Sequence, residues 1–464
     1  MNEMKAMTEN ERKHALVAML IASFLTTFMT SALNLSIPSL ETYYDATASA
    51  ISWVVSSYTM FIAAMSLPFG KLADTVGHRP VFLAGVLGFG ITSVACIFSP
   101  ALGFMIFFRA LQGASAAMMF ATNNSILISI YPAEVRGRML GLSTAATYIG
   151  LTTGPIVGGF LDAHLGWQAV FAAGILFTVV TFALSLRAVP KDGRRPDAAS
   201  KGTVDVLGIG LYIAMILLSL YGLTNFAATN LSKLLFAVGL AIGVIFILVE
   251  NRAANPVLRV SLFTENRIFL FSGLAALLNY SATYAISYGL SLYLQLVKGM
   301  PADRAGIVLI AMPIIQAIFS PRMGALSDRI RPSVLASTGM GLDALALFAM
   351  SRMTEDTSLV FLIAALAVAG LGIAMFVSPN TNAMMNCVTK EEYGVANSII
   401  ATMRTYGQSS GMAIFNIVTV LVLGSGSLEQ ASAVSMVNLI AMAFLVFAAV
   451  CVFGLFFSLA REKK

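Results

Sequence analysis

Long apolar runs recur along the whole of this sequence, and no other feature restricts its folding so much. A bilayer core of about 30 Å is crossed by about 20 helical residues. Runs of that length lie at 15–38, 51–70, 80–98, 103–130, 139–161 and 168–188, then at 206–225 and 233–249, and again at 268–296, 304–322, 333–351, 358–385, 395–423 and 433–459. Hydrophobic residues are 58% of the chain and charged residues 11%, with a mean hydropathy of +0.85. A soluble domain carries roughly 25% charge. Lipid is therefore the solvent of this chain, and the fold expected is an all-α membrane protein with fourteen transmembrane helices.

An even number of spans puts both termini on one side of the membrane. Of the 28 Lys and Arg, 22 fall in segments on that side, Lys233, Lys298, Arg304 and Arg352 on the other, and Arg109 and Arg404 within spans. Positive residues gather on the cytoplasmic side, so the expectation is a multi-pass protein of the cell membrane with both termini cytoplasmic. The net charge of +6 does not indicate a nucleic-acid binder, which needs a contiguous basic face, because the basic residues are divided among short segments. Cys96, Cys387 and Cys451 have no paired spacing and indicate neither disulfides nor a metal site. The first run is longer than a signal-peptide core and lacks a convincing small-residue cleavage site, so it is read as the first span.

The most hydrophilic stretch, Lys191 to Thr203, reads as a flexible cytoplasmic linker. It divides the chain into a six-helix half at 13–188, the linker at 189–204, two inserted helices at 205–250, a cytoplasmic loop at 251–267 and a second six-helix half at 268–460. The halves echo one another. Gly113 and Gly370, Gly137 and Gly394, and Gly154 and Gly411 are each 257 residues apart, while Gly70-Lys-Leu-Ala-Asp74 matches Gly324-Ala-Leu-Ser-Asp328 at 254. Parallel repeats of this kind build transporters whose site lies at the midplane between the halves.

Three elements carry more specific chemistry. The loop after the second span reads Gly70-Lys71-Leu72-Ala73-Asp74-Thr75-Val76-Gly77-His78-Arg79-Pro80. Its glycines permit a tight turn, and a fixed carboxylate and guanidinium there can hold a neighbouring helix end in one of two states. A solvated turn with an ordinary ion pair is the plainer alternative. Arg109-Ala-Leu-Gln112-Gly113 places an arginine inside the fourth run, costly unless it faces a cavity or a partner; a satisfied tie between helices is the alternative. Gly150-Leu-Thr-Thr-Gly154-Pro155-Ile-Val-Gly158-Gly159 aligns glycines at i, i+4 and i+8 for close helix approach, with Pro155 as a kink.

Together these elements resemble the major facilitator superfamily, through its G-x-L-A-D-R-x-G-R-K loop, its R-x-x-Q-G element and the G-x-x-x-G-P-x-x-G-G element of its antiporter branches. Ile51-Ser-Trp53-Val-Val-Ser-Ser-Tyr58, Asp205-Val-Leu-Gly208, and Tyr293-Leu-Gln295-Leu-Val-Lys-Gly299 leading to Ala305-Gly306 and Pro313 extend the resemblance to the fourteen-helix multidrug:proton antiporter group. The chain departs from that pattern at Thr75, at His78-Arg79, and at Met29, where the group has an aspartate ahead of the stretch matching Asn34-Leu-Ser-Ile-Pro38. The resemblance implies the major facilitator fold, two six-helix halves plus two inserted helices. It implies gating by Gly70, Asp74, Gly77 and Arg79, with Asp74 and Arg79 latching the outward-facing state. It further implies a conformational role, and export, for Gly150, Gly154, Pro155, Gly158 and Gly159, and charge relay or substrate contact for Arg109.

In that fold the helix carrying Tyr280, Tyr284 and Tyr288 lines the cavity, and their i, i+4, i+8 spacing sets three hydroxyls on one face. They touch substrate there or merely anchor at an interface. Asn34, Asn123, Asn124 and Asn380 lie on other helices expected to face the cavity. Asp343 sits mid-span, as a coupling group or a structural hydrogen bond. Away from their ends the lining helices hold no Asp or Glu but do hold Arg109 and Arg404. A buried cation repels another cation, so the substrate expected is a neutral or anionic amphipath with Arg109 or Arg404 as counter-charge. Proton coupling then uses Asp343, Asp74, Asp162 or the substrate itself.

The function expected is export of small amphipathic compounds by proton antiport, multidrug efflux in type. The alternative is a dedicated transporter of one anionic or neutral metabolite. An enzyme is not expected, because His14, His78 and His164 are scattered without metal spacing. Direct ATP driving is not expected either, because no Gly-x-x-x-x-Gly-Lys-Ser/Thr loop is present. The partners expected are a small molecule, protons and the lipid bilayer, with no cofactor, no metal and no nucleic acid, and the chain acting as a monomer.

Overall fold

A computed structural model describes residues 8–189, 205–226, 229–423 and 432–461. Among them every regular element is a helix. Fourteen are long: α1 (Glu9–Ser31), α2 (Ala48–Val76), α3 (His78–Ile97), α4 (Leu102–Ile130), α5 (Arg136–Leu165), α6 (Gln168–Ala188), α7 (Val206–Thr224), α8 (Asn230–Glu250), α9 (Arg267–Leu292), α10 (Ala311–Ser327), α11 (Pro332–Met350), α12 (Leu359–Asn386), α13 (Tyr393–Leu423) and α14 (Ala433–Ala460). Each predicted run falls mainly on one of them, the first running on past α1 through a 3-10 turn at Ala32–Ser36 into the short helix Ile37–Tyr44. The run at 304–322 is divided, because the short helix Ala302–Leu309 ends at Ile310 before α10 begins. Of the linker predicted at 189–204, residues 190–204 lie outside the described residues.

Thirteen of these helices are long and apolar enough to cross a bilayer, against fourteen expected. The exception is α5, whose glycines, threonines and charged ends dilute its apolar character. The helices begin where side chains can take up free amides. Thr8 accepts from Glu11 N at 3.3 Å while the Glu11 carboxylate accepts from Thr8 N at 2.8 Å, and Ser358 and Asn266 cap α12 and α9. Between α2 and α3 the chain turns at Gly77, whose φ of 108° a side chain would disfavour.

The chain forms two compact units. The first comprises Met1–Leu217, Ile242–Val260 and Val388–Thr402. In it α1 packs on α5 and α6, α2 on α4, and α3 on α4 and α6, around a core that includes Phe28, Met29, Tyr58, Phe82, Phe89 and Phe171. The second comprises Leu218–Ala241, Ser261–Cys387 and Met403–Lys464. There α10 packs on α12, α11 on α12 and α14, and α9 on α14.

The glycine spacing in the sequence reappears as packing. Gly113 meets the backbone of Tyr58 in the first unit as Gly370 meets that of Met312 in the second. Gly150 and Gly154 rest on the carbonyls of Phe24 and Phe28 as Gly407 and Gly411 rest on those of Leu277 and Ser281. Any Cβ at these positions would enter a neighbouring backbone, so the repeat is a repeat of helix contacts.

Candidate functional site

The last turn of α2 is built around Asp74, which is 4% exposed. Its Oδ1 accepts from Gly394 N at 2.8 Å and its Oδ2 from Val395 N at 3.0 Å. Both amides belong to the first turn of α13, where the backbone N–H groups have no partner within the helix. A carboxylate there satisfies two donors and also meets the positive end of the helix dipole. Gly70 and Gly394 lie backbone to backbone, since a Cβ on Gly70 would stand 2.5 Å from Gly394 O and one on Gly394 2.8 Å from Asp74 Oδ1. Ser398 Oγ donates to Ser66 O at 2.6 Å one turn further on.

His78 and Arg79 take separate paths. His78 Nε2 lies 3.3 Å from Asp74 Oδ1. Arg79 Nη2 donates to Leu186 O at 2.8 Å, at the carbonyl end of α6. The two charges paired in the sequence reading thus serve different helix ends, the anion at an N-terminus and the cation at a C-terminus.

Arg109 is fully buried. Its Nε donates to Val54 O at 3.0 Å, its Nη1 to Gln112 Oε1 at 2.5 Å and its Nη2 to Met29 O at 3.3 Å, and its guanidinium lies 4.1 Å from the centre of the Tyr58 ring. Gln112 Nε2 donates onward to Ser93 Oγ at 2.7 Å. The element therefore ties α4 to α1, α2 and α3. None of the ion pairs among the described residues includes Arg109; Met29 offers it only a carbonyl. On α5, Gly150, Gly154 and Gly158 all lie against α1, the last against Ala32, and the helix continues through Pro155 and Gly159 without a break.

Of the asparagines, Asn123 donates to Ser23 Oγ at 2.9 Å and Ser143 Oγ at 3.1 Å, joining α4 to α1 and α5. Asn124 Nδ2 donates to Asn397 Oδ1 at 2.8 Å, and Asn397 donates to Phe120 O. Asn34 lies in the 3-10 turn Ala32–Ser36, its side chain outside the described residues. Asn380 donates to Ser272 O at 3.1 Å and accepts from Arg461 Nη1 at 2.7 Å.

In the second unit Tyr280 is buried on α9 and faces Gly407 of α13. Tyr284 and Tyr288 stack with ring centres 5.8 Å apart, and Tyr288 meets Phe415 edge-on at 5.0 Å. Hydrogen bonds among the described residues leave all three tyrosine hydroxyls unused. Asp343, 1% exposed, accepts from Asn279 Nδ2 at 2.8 Å through Oδ2, and its Oδ1 has no partner.

Sequence reading missed the amides of Gly394 and Val395, the partners Asn397 and Asn279, and Arg461. Gly394 did stand out as a repeat glycine. The others carry no local pattern.

The match to known proteins is broad. The family model described as Major Facilitator Superfamily matches residues 19–412 and 272–464. The riboflavin transporter RibZ of Clostridioides difficile is 28% identical over 86% of this chain and 87% of its own. The multidrug resistance protein Stp of Mycobacterium tuberculosis is 28% identical over 82% of this chain and 71% of its own. Among solved structures, the proton:xylose symporter XylE has the same fold, with a TM-score of 0.67 at 13% identity, covering 97% of this chain and 96% of that one. With its repeated helix packing, its apolar spans and a family match over nearly its whole length, this chain is a multi-pass membrane transporter of the major facilitator superfamily.

Proposed function

We propose that this transporter exports small neutral or anionic amphipathic compounds by proton-coupled alternating access. The observation that carries the reading is the trio of unused hydroxyls at Tyr280, Tyr284 and Tyr288 along α9, two of them on stacked rings, with Arg404 of α13 as the cation assigned to face them. Aromatic faces bind apolar surface, hydroxyls orient it, and a guanidinium favours an anion. Carbonyls and Gln112 engage the donors of Arg109, which suits it to tying helices together. Asp74 acts as the latch, since a helix N-terminus held by one carboxylate has a bound state and a released state. Asp343, buried with one oxygen free, is the acid assigned to proton coupling. Export follows from the Gly150 to Gly159 element and agrees with the resistance protein among the relatives. The chain works as a monomer in the cell membrane, with both termini cytoplasmic and two six-helix halves, 13–188 and 268–460.

The riboflavin transporter among the relatives favours a second reading, one dedicated neutral or anionic metabolite. Transport into proteoliposomes of matched anionic, neutral and permanently cationic aromatic compounds, with and without a pH gradient, separates the two. Uptake of several unrelated anionic or neutral compounds, lost in Arg404→Ala for the anions and uncoupled from the pH gradient in Asp343→Asn, supports the export reading. Uptake of one compound alone supports the second. Robust transport of permanent cations, unchanged by Arg404→Ala, overturns the charge argument in both.

A further inference from the structure

The two inserted helices meet the rest of the first unit at a pair of carboxylates. Asp205 starts α7, its Oδ1 accepting from Gly208 N at 2.7 Å. Glu250 ends α8, is 3% exposed, and accepts from Leu258 N at 3.0 Å through Oε2. The second oxygen of each, Asp205 Oδ2 and Glu250 Oε1, is buried with no hydrogen-bond partner among the described residues. Both point into the space left by Gly208, where a Cβ would collide with Glu250 Oε1 and stand 2.5 Å from Asp205 Oδ2. The two oxygens are thus within about 5 Å of each other, a separation at which two carboxylates resist joint ionisation. Two acceptors facing one another lack only a hydrogen.

We propose that Asp205 and Glu250 form a proton-binding site, one proton held between Asp205 Oδ2 and Glu250 Oε1. The proton comes from, and returns to, the water that reaches the partly exposed Asp205. The charge from outside the pair that reaches Glu250 is Lys71 on α2, and Lys71 in turn has Arg259, Asp74 and Glu392 around it. Among the described residues Lys71 forms no ion pair with either carboxylate, so neither free oxygen is taken up by it. The pair has a mechanical outlet. Glu250 holds the amide of Leu258, the adjacent Arg259 donates to Glu392 Oε1 at 3.2 Å, and Glu392 lies two residues before the Gly394 amide that Asp74 holds. Protonation at the inserted helices is therefore felt at the start of α13, which gives those helices a task in regulating the latch. The inference does not depend on what the protein transports.

The test is the pH dependence of thermal unfolding of the purified protein in detergent, for wild type, Glu250→Gln and Asp205→Asn. Both variants keep the acceptors that hold Leu258 and Gly208 and lose the titratable proton. A proton bound by the folded state and released on unfolding makes stability fall as pH rises, so the wild-type midpoint should drop by a few degrees between about pH 5 and about pH 8. In either variant that slope should shrink by at least half. Should one variant not fold, the other carries the measurement. Variant profiles parallel to wild type overturn the proposal. So does a wild-type profile flattened by sodium or magnesium chloride, which makes the pair a cation site.

Discussion

Asparagine at position 74 keeps the shape of the aspartate but can turn only one oxygen to the start of α13, and it removes the charge. A hydrogen bond to a charged group is worth about 1.5–3 kcal/mol, and about 1.4 kcal/mol is a factor of ten in a rate. Asp74→Asn is therefore expected to insert normally and to turn over about 10- to 150-fold more slowly, measured as initial transport rate at matched expression. Normal turnover makes Asp74 a bystander. The sequence made this residue visible and hid its partner. Gly394 N and Val395 N are main-chain amides more than 300 residues away, and a backbone donor leaves no trace in residue type. Arg109 is the same case reversed. Its motif was plain, but the choice between relay and tie depended on carbonyls of Val54 and Met29, which any residue would provide.

Helix contacts were more legible, because glycines at i, i+4 and i+8 mark one face of one element and their echo 257 residues on marks its counterpart. What the pattern could not give was the neighbour, α1; the break at Ile310 ahead of α10 had a legible cause in Pro313, which has no N–H to give the Leu309 carbonyl one turn before it. The α1–α5 contact predicts its own sensitivity. A Cβ at Gly154 would reach Ser31 Oγ and lie 3.0 Å from Phe28 O, both on the buried face of α1. Overpacking of this kind costs about 1–3 kcal/mol. Gly154→Val should lower the unfolding midpoint in detergent, whereas Gly341→Val, within α11 where nothing lies within 4 Å of the added Cβ, should not. Equal losses in both would remove the special status of the glycine face.

For the molecule as a whole, composition and run length gave the fold class and the family its motifs, because lipid demands both long apolar stretches and helical backbone. Orientation rests on charge alone. With both termini and the 191–203 segment on the cytoplasmic side, single cysteines introduced into that segment should resist an impermeant thiol reagent in intact cells and react after permeabilisation. Reaction in intact cells reverses the topology.

The meeting of Gly70 with Gly394 has a consequence for how this molecule could be steered. Neither position has room for a side chain while α2 and α13 touch, and the nearest atoms in the way of each belong to the facing helix. One methyl group placed there penalises a single conformer and leaves its competitor alone, so a penalty of about 1–3 kcal/mol re-weights the two populations by roughly 5- to 150-fold. Gly394→Ala is thus a one-carbon dial on the conformational equilibrium, and a means of enriching the released conformer.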